Sequence, residues 1–307
     1  MNATRPTKTR SYYPHHIIDG TRWDHYRPRR DDIIVSTSMK AGTTWVQTIV
    51  ANLLYQDGTF PAPVDTMAPW LDMRFAPIEM QIANLEAQTG RRSLKTHLPL
   101  NAIPFYDEVK YVVVGRDGRD VFMSLHNHHT HYSDKLREMV ATVDSTIGHP
   151  FAFDLGDIKA MWRQWTTRGY FAWESDGYPY WSHLYHFQTW WDFKHLSNIY
   201  FVHYADLLAN PTGEIQRLAE FLAIPVTAAK MPEIVERISF TAMRENFDNI
   251  MPMANVVWQG GGNTFMNKGT NGRWRDIFDG ADLALYDQAV ARNLTPEAAR
   301  WLEFGRG

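Results

Sequence analysis

The 307-residue chain has no cysteine, which removes disulfides, thiolate catalysis and every zinc or iron–sulfur site built on thiolates, and fits a reducing compartment. It has no uninterrupted apolar run of membrane-spanning length, and its polar, basic first sixteen residues lack the apolar core of a secretory signal. The expectation is a soluble, cytoplasmic protein with no membrane span. Neither sign of charge dominates: 31 Lys and Arg against 34 Asp and Glu leave a formal net charge of −3. Without a global basic footprint, neither nucleic acid nor an anionic membrane surface is expected as the main partner. No internal repeat or low-complexity tract occurs. Apolar residues are plentiful, at 44% hydrophobic and 14% aromatic, enough for a large core in one α/β domain over 1–307, with 1–30 as an N-terminal arm.

The stretch that organises the chain begins with a β-branched run, Ile33, Ile34 and Val35. Next comes Ser36-Thr37-Ser38-Met39-Lys40-Ala41-Gly42-Thr43-Thr44-Trp45, and then Val46, Ile49, Val50, Leu53 and Leu54 at helical spacing. Buried strand, small-residue loop and helix together make anion-binding architecture. A helix start exposes unpaired N–H groups at the positive end of its dipole, and glycine lets the backbone close around a phosphate. Lys40 adds a mobile charge. It stands before the loop glycine and is followed by Ala41, so the Walker A pattern G-x-x-x-x-G-K-[ST] is not met and an ordinary ATPase is disfavoured.

Three further strands end in groups suited to the same crevice. The residues 93–97 read as a strand whose alternation puts Lys95 and His97 on one face. Lys110-Tyr111-Val112-Val113-Val114 is a buried strand ending at Gly115-Arg116. Arg116, a bidentate donor, and Ser124 on the following helix can converge on one phosphate, unless Arg116 is paired with Asp117 or Asp120. The residues 198–203 form a strand ending in Tyr204, and a late segment, 249–273, is glycine-rich around Lys268 and Gly269, which lets backbone N–H groups close on an anion. Strands alternating with helices argue a mainly parallel sheet covered on both faces.

The Pro-rich segment through Pro61, Pro63, Pro69 and Pro77 carries Met67, Trp70, Met73 and Phe75 and can wall an apolar pocket or simply pack on the surface. The residues 132–156 lose periodicity and read as a loop or lid. Histidines 126, 128, 129 and 131 invite a metal reading, but H-E-x-x-H is absent and a distant third ligand is not evident, so no metal is expected. One or two of them are candidates for an acceptor site.

Taken together, the motifs resemble the cytosolic-type sulfotransferase family, over residues 36–278 and in the family order. That resemblance implies a P-loop-like fold and transfer of a sulfuryl group from 3′-phosphoadenosine 5′-phosphosulfate to a hydroxyl of a small-molecule acceptor. It implies that Lys40 stabilises the leaving phosphate, that Ala41, Gly42, Thr43 and Thr44 hold the 5′ group, and that Trp45 stacks on adenine. Arg116 and Ser124 match the 3′-phosphate ligands. Tyr204 with Ser239 and Phe240 resembles adenine-side contacts, and Lys268 with Gly269 resembles the late 3′-phosphate loop. His97 falls on the catalytic base and Lys95 on an assisting lysine.

Two departures stand out. Asn267 occupies the place of the family's arginine, leaving Arg273 or Arg119 to supply a cation, and the family's dimer signature is not met by residues 275–284. The alternatives are a catalytically weak nucleotide-binding module, which Asn267 favours, and a P-loop-like kinase, disfavoured by the missing Gly-Lys-Ser/Thr. Acceptor choice is expected to come from residues 58–90, 132–156 and 249–265.

Overall fold

In the computed structural model, which describes residues 5, 6, 9–143 and 146–306, the apolar runs become four strands: β1 (Ile33–Thr37), β2 (Ser93–Thr96), β3 (Lys110–Gly115) and β4 (Ile199–His203). They pair, all parallel, in the order β2-β1-β3-β4. Parallel strands are covered on both faces, which is why β1, β3 and β4 carry continuous apolar runs, Ile33 to Val35, Tyr111 to Val114 and Ile199 to Val202, while the edge strand β2 has only Leu94.

The twofold strand period divides the core. Ile33, Val35, Val112, Val114 and Val202 face one side, where α1 (Thr43–Leu54) lays down Val46, Ile49, Val50 and Leu53 and the helix Pro211–Phe221 adds Ile215 and Leu218. Ile34, Leu94, Tyr111, Val113 and Phe201 face the other, against the helices Gly118–Thr130, Ile158–Thr167 and His183–Trp191 and the C-terminal pair. The arm's Tyr13, Trp23 and Tyr26 are buried in this second core.

Register is pinned at the N-terminal ends of the strands. Ile33 lies opposite both Ser93 and Lys110. Directly before β1 and β2, the fully buried Arg92 donates from Nε to Asp32 Oδ1 at 3.0 Å, from Nη1 to Glu86 at 2.8 Å and from Nη2 to the Arg27 carbonyl at 2.8 Å. Tyr26 donates its hydroxyl to Asp32 Oδ2 at 2.7 Å. Because all four strands run the same way, the loops bearing Lys40, His97, Arg116 and Tyr204 leave from the opposite edge together.

Several elements differ from expectation. β2 ends at Thr96, one residue early, and the His97 N–H points to the Asp72 carboxylate at 3.4 Å. The residues 132–156 include a helix, Asp134–Thr142, whose N-cap Ser133 accepts from Leu136 N–H and which buries Leu136 and Val140. Two inward residues one turn apart are too few to register as periodicity. Residues 144 and 145 of that stretch lie outside the described residues. The residues 249–273 contain two single-turn helices, Ala254–Val257 and Gly261–Phe265, and the Pro-rich segment contains Val64–Met67 and Ile78–Glu86.

Candidate active site

The loop after β1 turns on two left-handed residues. Lys40 has φ 67° and Gly42 φ 118°. A side chain at Gly42 would bring a Cβ to 2.9 Å from Tyr204 Cδ2, so both the backbone angle and the close approach of the Tyr204 ring require glycine. Gly42 is the N-cap of α1, and no side chain accepts from the first turn, leaving those N–H groups for an anion. Thr37 Oγ1 and Thr43 Oγ1 lie 2.5 Å apart and tie the loop to β1.

Arg116, at the end of β3, is buried. Its guanidinium lies 3.8 Å from the Tyr204 ring centroid and donates to Asn271 Oδ1 at 2.9 and 3.3 Å. The acidic neighbours are engaged elsewhere. Asp117 caps the helix Gly118–Thr130 and pairs with Arg119, and Asp120 accepts from the Gly272 N–H at 2.7 Å. Arg119 bridges Asp117 and Glu303 and stacks on Trp274; two carboxylates hold it, which removes it as the substitute for the cation missing at Asn267. Arg273 lines the cavity with its Nε buried and unpartnered.

At the β2 corner His97 Nδ1 lies 2.8 Å from the Thr37 carbonyl. That contact needs a proton on Nδ1 and leaves Nε2 as a bare lone pair. Asp72, buried, holds the corner by accepting from Trp70 Nε1 at 2.7 Å and Trp23 Nε1 at 3.3 Å, and Trp181 Nε1 donates to the His97 carbonyl at 2.6 Å. Burial, with the Lys95 and Lys40 charges beside it, pushes the His97 imidazole down to about 3. Burial likewise lowers Lys95 to about 8, opposed by Asp65 and Asp72. Lys40 falls to about 7 through burial and the charges of Arg116 and Lys95, and its Nζ stands 3.7 Å from the Phe265 ring centroid. Among the described residues none of Lys40, Lys95 and Arg116 forms an ion pair, and such a crowd of cations suits an anion.

The ends of these loops border one cavity of about 570 Å³. Lys40, Gly42, Thr43, Thr44 and Trp45 are on its wall, as are Lys95 and His97, Arg116 and Ser124, Tyr204 and Phe240, and Asn267, Lys268 and Gly269. Two expected contacts are not on that wall. Ala41 is wholly buried in the core, and Ser239 uses its hydroxyl to cap the helix Phe240–Glu245 by accepting from Ala242 N–H. Asn267 donates to Asn127 Oδ1 at 2.5 Å. Trp45 donates its indole N–H to the Ile238 carbonyl at 3.0 Å and meets Tyr204 edge-on at 5.1 Å.

The other half of the cavity is apolar and is built by the three segments expected to choose the acceptor: Trp70 and Met73 from the first, Leu136 and Phe151 from the second, Met251 and Trp258 from the third. Of the four histidines offered as candidates for an acceptor site, His128 is the one on this wall; Asn271, which accepts from Arg116, was not anticipated and lies behind it. The histidine run signalled the region without saying which ring faces inward. Among the described residues no group of three or more His, Cys, Asp or Glu could hold a metal ion, and no helix is long and apolar enough to cross a membrane.

The profile described as "Sulfotransferase domain" matches residues 30–296. A glycolipid sulfotransferase of Mycobacterium bovis is 31% identical over all of this chain and 98% of its own length, and rat sulfotransferase 1A1 is 28% identical over 86% of this chain and 85% of its own. A crystal structure of retinol dehydratase in complex with androsterone and the inactive cofactor PAP superposes with a TM-score of 0.68 at 22% identity, covering 90% of this chain and 84% of that one; that likeness establishes a shared fold, the P-loop-like α/β sheet. With a profile match across most of its length and a full-length relative above 30% identity, the chain belongs to the sulfotransferase domain family.

Proposed function

We propose that the cavity binds 3′-phosphoadenosine 5′-phosphosulfate at its cationic end and transfers the sulfuryl group to a hydroxyl of an apolar or aromatic small molecule held at the other. The carrying observation is that Lys40, Lys95, His97 and Arg116 border the same cavity as the methionine- and aromatic-lined half. The donor supplies an activated sulfuryl group on a phosphate leaving group.

The α1 N-terminus with Gly42, Thr43 and Thr44 receives the 5′ end. Arg116, Ser124, Lys268 and the Gly269 backbone receive the 3′-phosphate, and Trp45, Tyr204 and Phe240 flank the base. Gly269 has φ 65°, and a Cβ there would stand 2.5 Å from the Phe240 ring, so the late loop and the aromatic contact are built against each other. Lys40 meets the charge that develops on the phosphate as its bond to sulfur breaks, and His97 Nε2 takes the proton as the acceptor oxygen bonds to sulfur.

The low proton affinity of His97 suits this role. The imidazole is neutral at physiological pH, and an anion opposite Lys40 and Lys95 offsets the charges that depress it. Positioning supplies much of the remaining rate, as in phosphoryl transfer. An apolar acceptor body is supported by the lining, and the name of the mycobacterial relative is in keeping with a lipophilic alcohol. The test is incubation with donor labelled in the sulfate and a panel of phenols and lipophilic alcohols, repeated with Lys40→Ala and His97→Ala. Labelled product that both substitutions abolish is the expected result, and turnover unchanged in both would overturn the mechanism.

A further inference from the structure

In the apolar half of the cavity His128 is in an unusual position for a polar ring. It lines the cavity yet is only 7% exposed, and its Nδ1 is sealed without a hydrogen-bond partner. Aromatic rings surround it, with centroids of Trp258 at 4.6 Å, Tyr132 at 5.1 Å and Phe265 at 6.0 Å. No described residue bonds Nε2 either, so the contents of the cavity are the remaining partner for this ring. Two of its neighbours in the run are satisfied by the protein: His129 by Tyr180 and the Phe153 carbonyl, His131 by the Asn127 carbonyl.

Burial, with the charge of Lys40 next, holds His128 well below its ordinary pKa, so the ring is neutral, with one N–H and one lone pair. A buried polar group left without a partner is costly, and native structures rarely keep one that nothing satisfies. Phe265 packs against both this ring and the Lys40 ammonium, which ties His128 to the reacting zone through a shared aromatic neighbour.

We propose that His128 recognises a second hydroxyl on the acceptor, so that the preferred substrate is a rigid apolar or aromatic molecule bearing two hydroxyls, one presented to His97 and the other hydrogen-bonded to the His128 imidazole. A hydroxyl both donates and accepts, and so satisfies either tautomer. Discrimination of this kind is strong because a one-hydroxyl analogue leaves the ring unpaired. The proposal rests on reading the cavity as the acceptor chamber of a sulfotransferase.

It is tested by kcat/KM at saturating donor for 2-naphthol and for 2,3-, 2,6- and 2,7-dihydroxynaphthalene, with the wild-type chain, H128F and H128Q, together with the Tm of each. For the wild type, at least one diol is expected to exceed 2-naphthol by about tenfold, the effect of one buried hydrogen bond, carried by KM and beyond the twofold that two equivalent hydroxyls give by statistics. H128F lowers that ratio to the statistical value with Tm equal to or above wild type, and H128Q keeps part of it. A diol ratio unchanged in H128F, with or without a lower Tm, assigns the ring to structure and overturns the proposal, as does a wild type that sulfates 2-naphthol and favours no diol. A wild type that sulfates none of the four sinks the acceptor reading and this proposal together.

Discussion

The Nδ1 nitrogen of His97 lies 2.8 Å from the carbonyl oxygen of Thr37. Since Thr37 is the last residue of β1, the strand that leads into the Lys40 loop also fixes the tautomer of the imidazole on the neighbouring strand. His97→Gln keeps a side-chain N–H donor for that carbonyl and loses the basic nitrogen. The expected result is a fall in kcat of about 10²- to 10⁴-fold, the usual contribution of a positioned base. Binding of adenosine 3′,5′-bisphosphate, followed by calorimetry, is retained.

Lys40 gives the donor site a pH dependence whose sign can be worked out. Burial and the charges of Arg116 and Lys95 lower its pKa to about 7, and a bound anion raises it again. The anion therefore binds the protonated form better. Affinity for adenosine 3′,5′-bisphosphate is level below about pH 7 and weakens as pH rises above it, by up to about tenfold per pH unit, until the pKa of the complex is reached. Titration calorimetry between pH 6 and 9 reads the slope, and Lys40→Arg, which does not titrate in that range, removes the part that sets in near pH 7 and leaves that of Lys95, lowered to about 8.

Arg273, on the cavity wall with its Nε buried and unpartnered, is the remaining candidate for the cation missing at Asn267. Arg273→Ala is expected to weaken binding of the bisphosphate by about 1.5–3 kcal/mol, the value of a charged hydrogen bond. Arg119→Ala, with its guanidinium held by Asp117 and Glu303, leaves binding near wild type and lowers Tm. Asn267→Arg tightens binding. Equal losses from the two alanine variants would contradict the assignment.

The Arg92 and Asp32 pair holds the strand ends opposite the site. Arg92→Met leaves the buried Asp32 carboxylate without its cation, an uncompensated charge worth about 3–5 kcal/mol of stability. Urea unfolding measures it, and pairing the change with Asp32→Asn recovers part of the loss, because the charge left unpaired has been removed as well.

The corners at Lys40, Arg116 and Tyr204 were readable because parallel strands buried on both faces are continuous apolar runs that end in groups of obvious chemistry, and the His97 corner was readable from its Lys-Thr-His-Leu-Pro motif instead. What was not readable depended on tertiary context. Whether Arg119 or Arg273 faces the cavity turns on Glu303, 184 positions from Arg119. Ser239 has a hydroxyl suited to a ligand and gives it to the backbone of its own helix. The helix Asp134–Thr142 buries only Leu136 and Val140, too weak a pattern to separate from a loop. Four histidines in six residues offered no face to choose between until the packing of Trp258 and Phe265 set His128 against the cavity.

Among the described residues eight methionines line the cavity, Met39, Met73, Met139 and Met266 among them. In a chain without thiols, these thioethers are the softest sulfur and the first to react with peroxide. Sulfoxide formation would turn a greasy, yielding lining into a polar one, so the oxidised enzyme should lose its grip on acceptors while its grasp of the bisphosphate, held by nitrogen and hydroxyl groups, survives. Methionine sulfoxide reductase treatment should restore the former, which would make the state of these sulfur atoms a reversible measure of oxidative exposure.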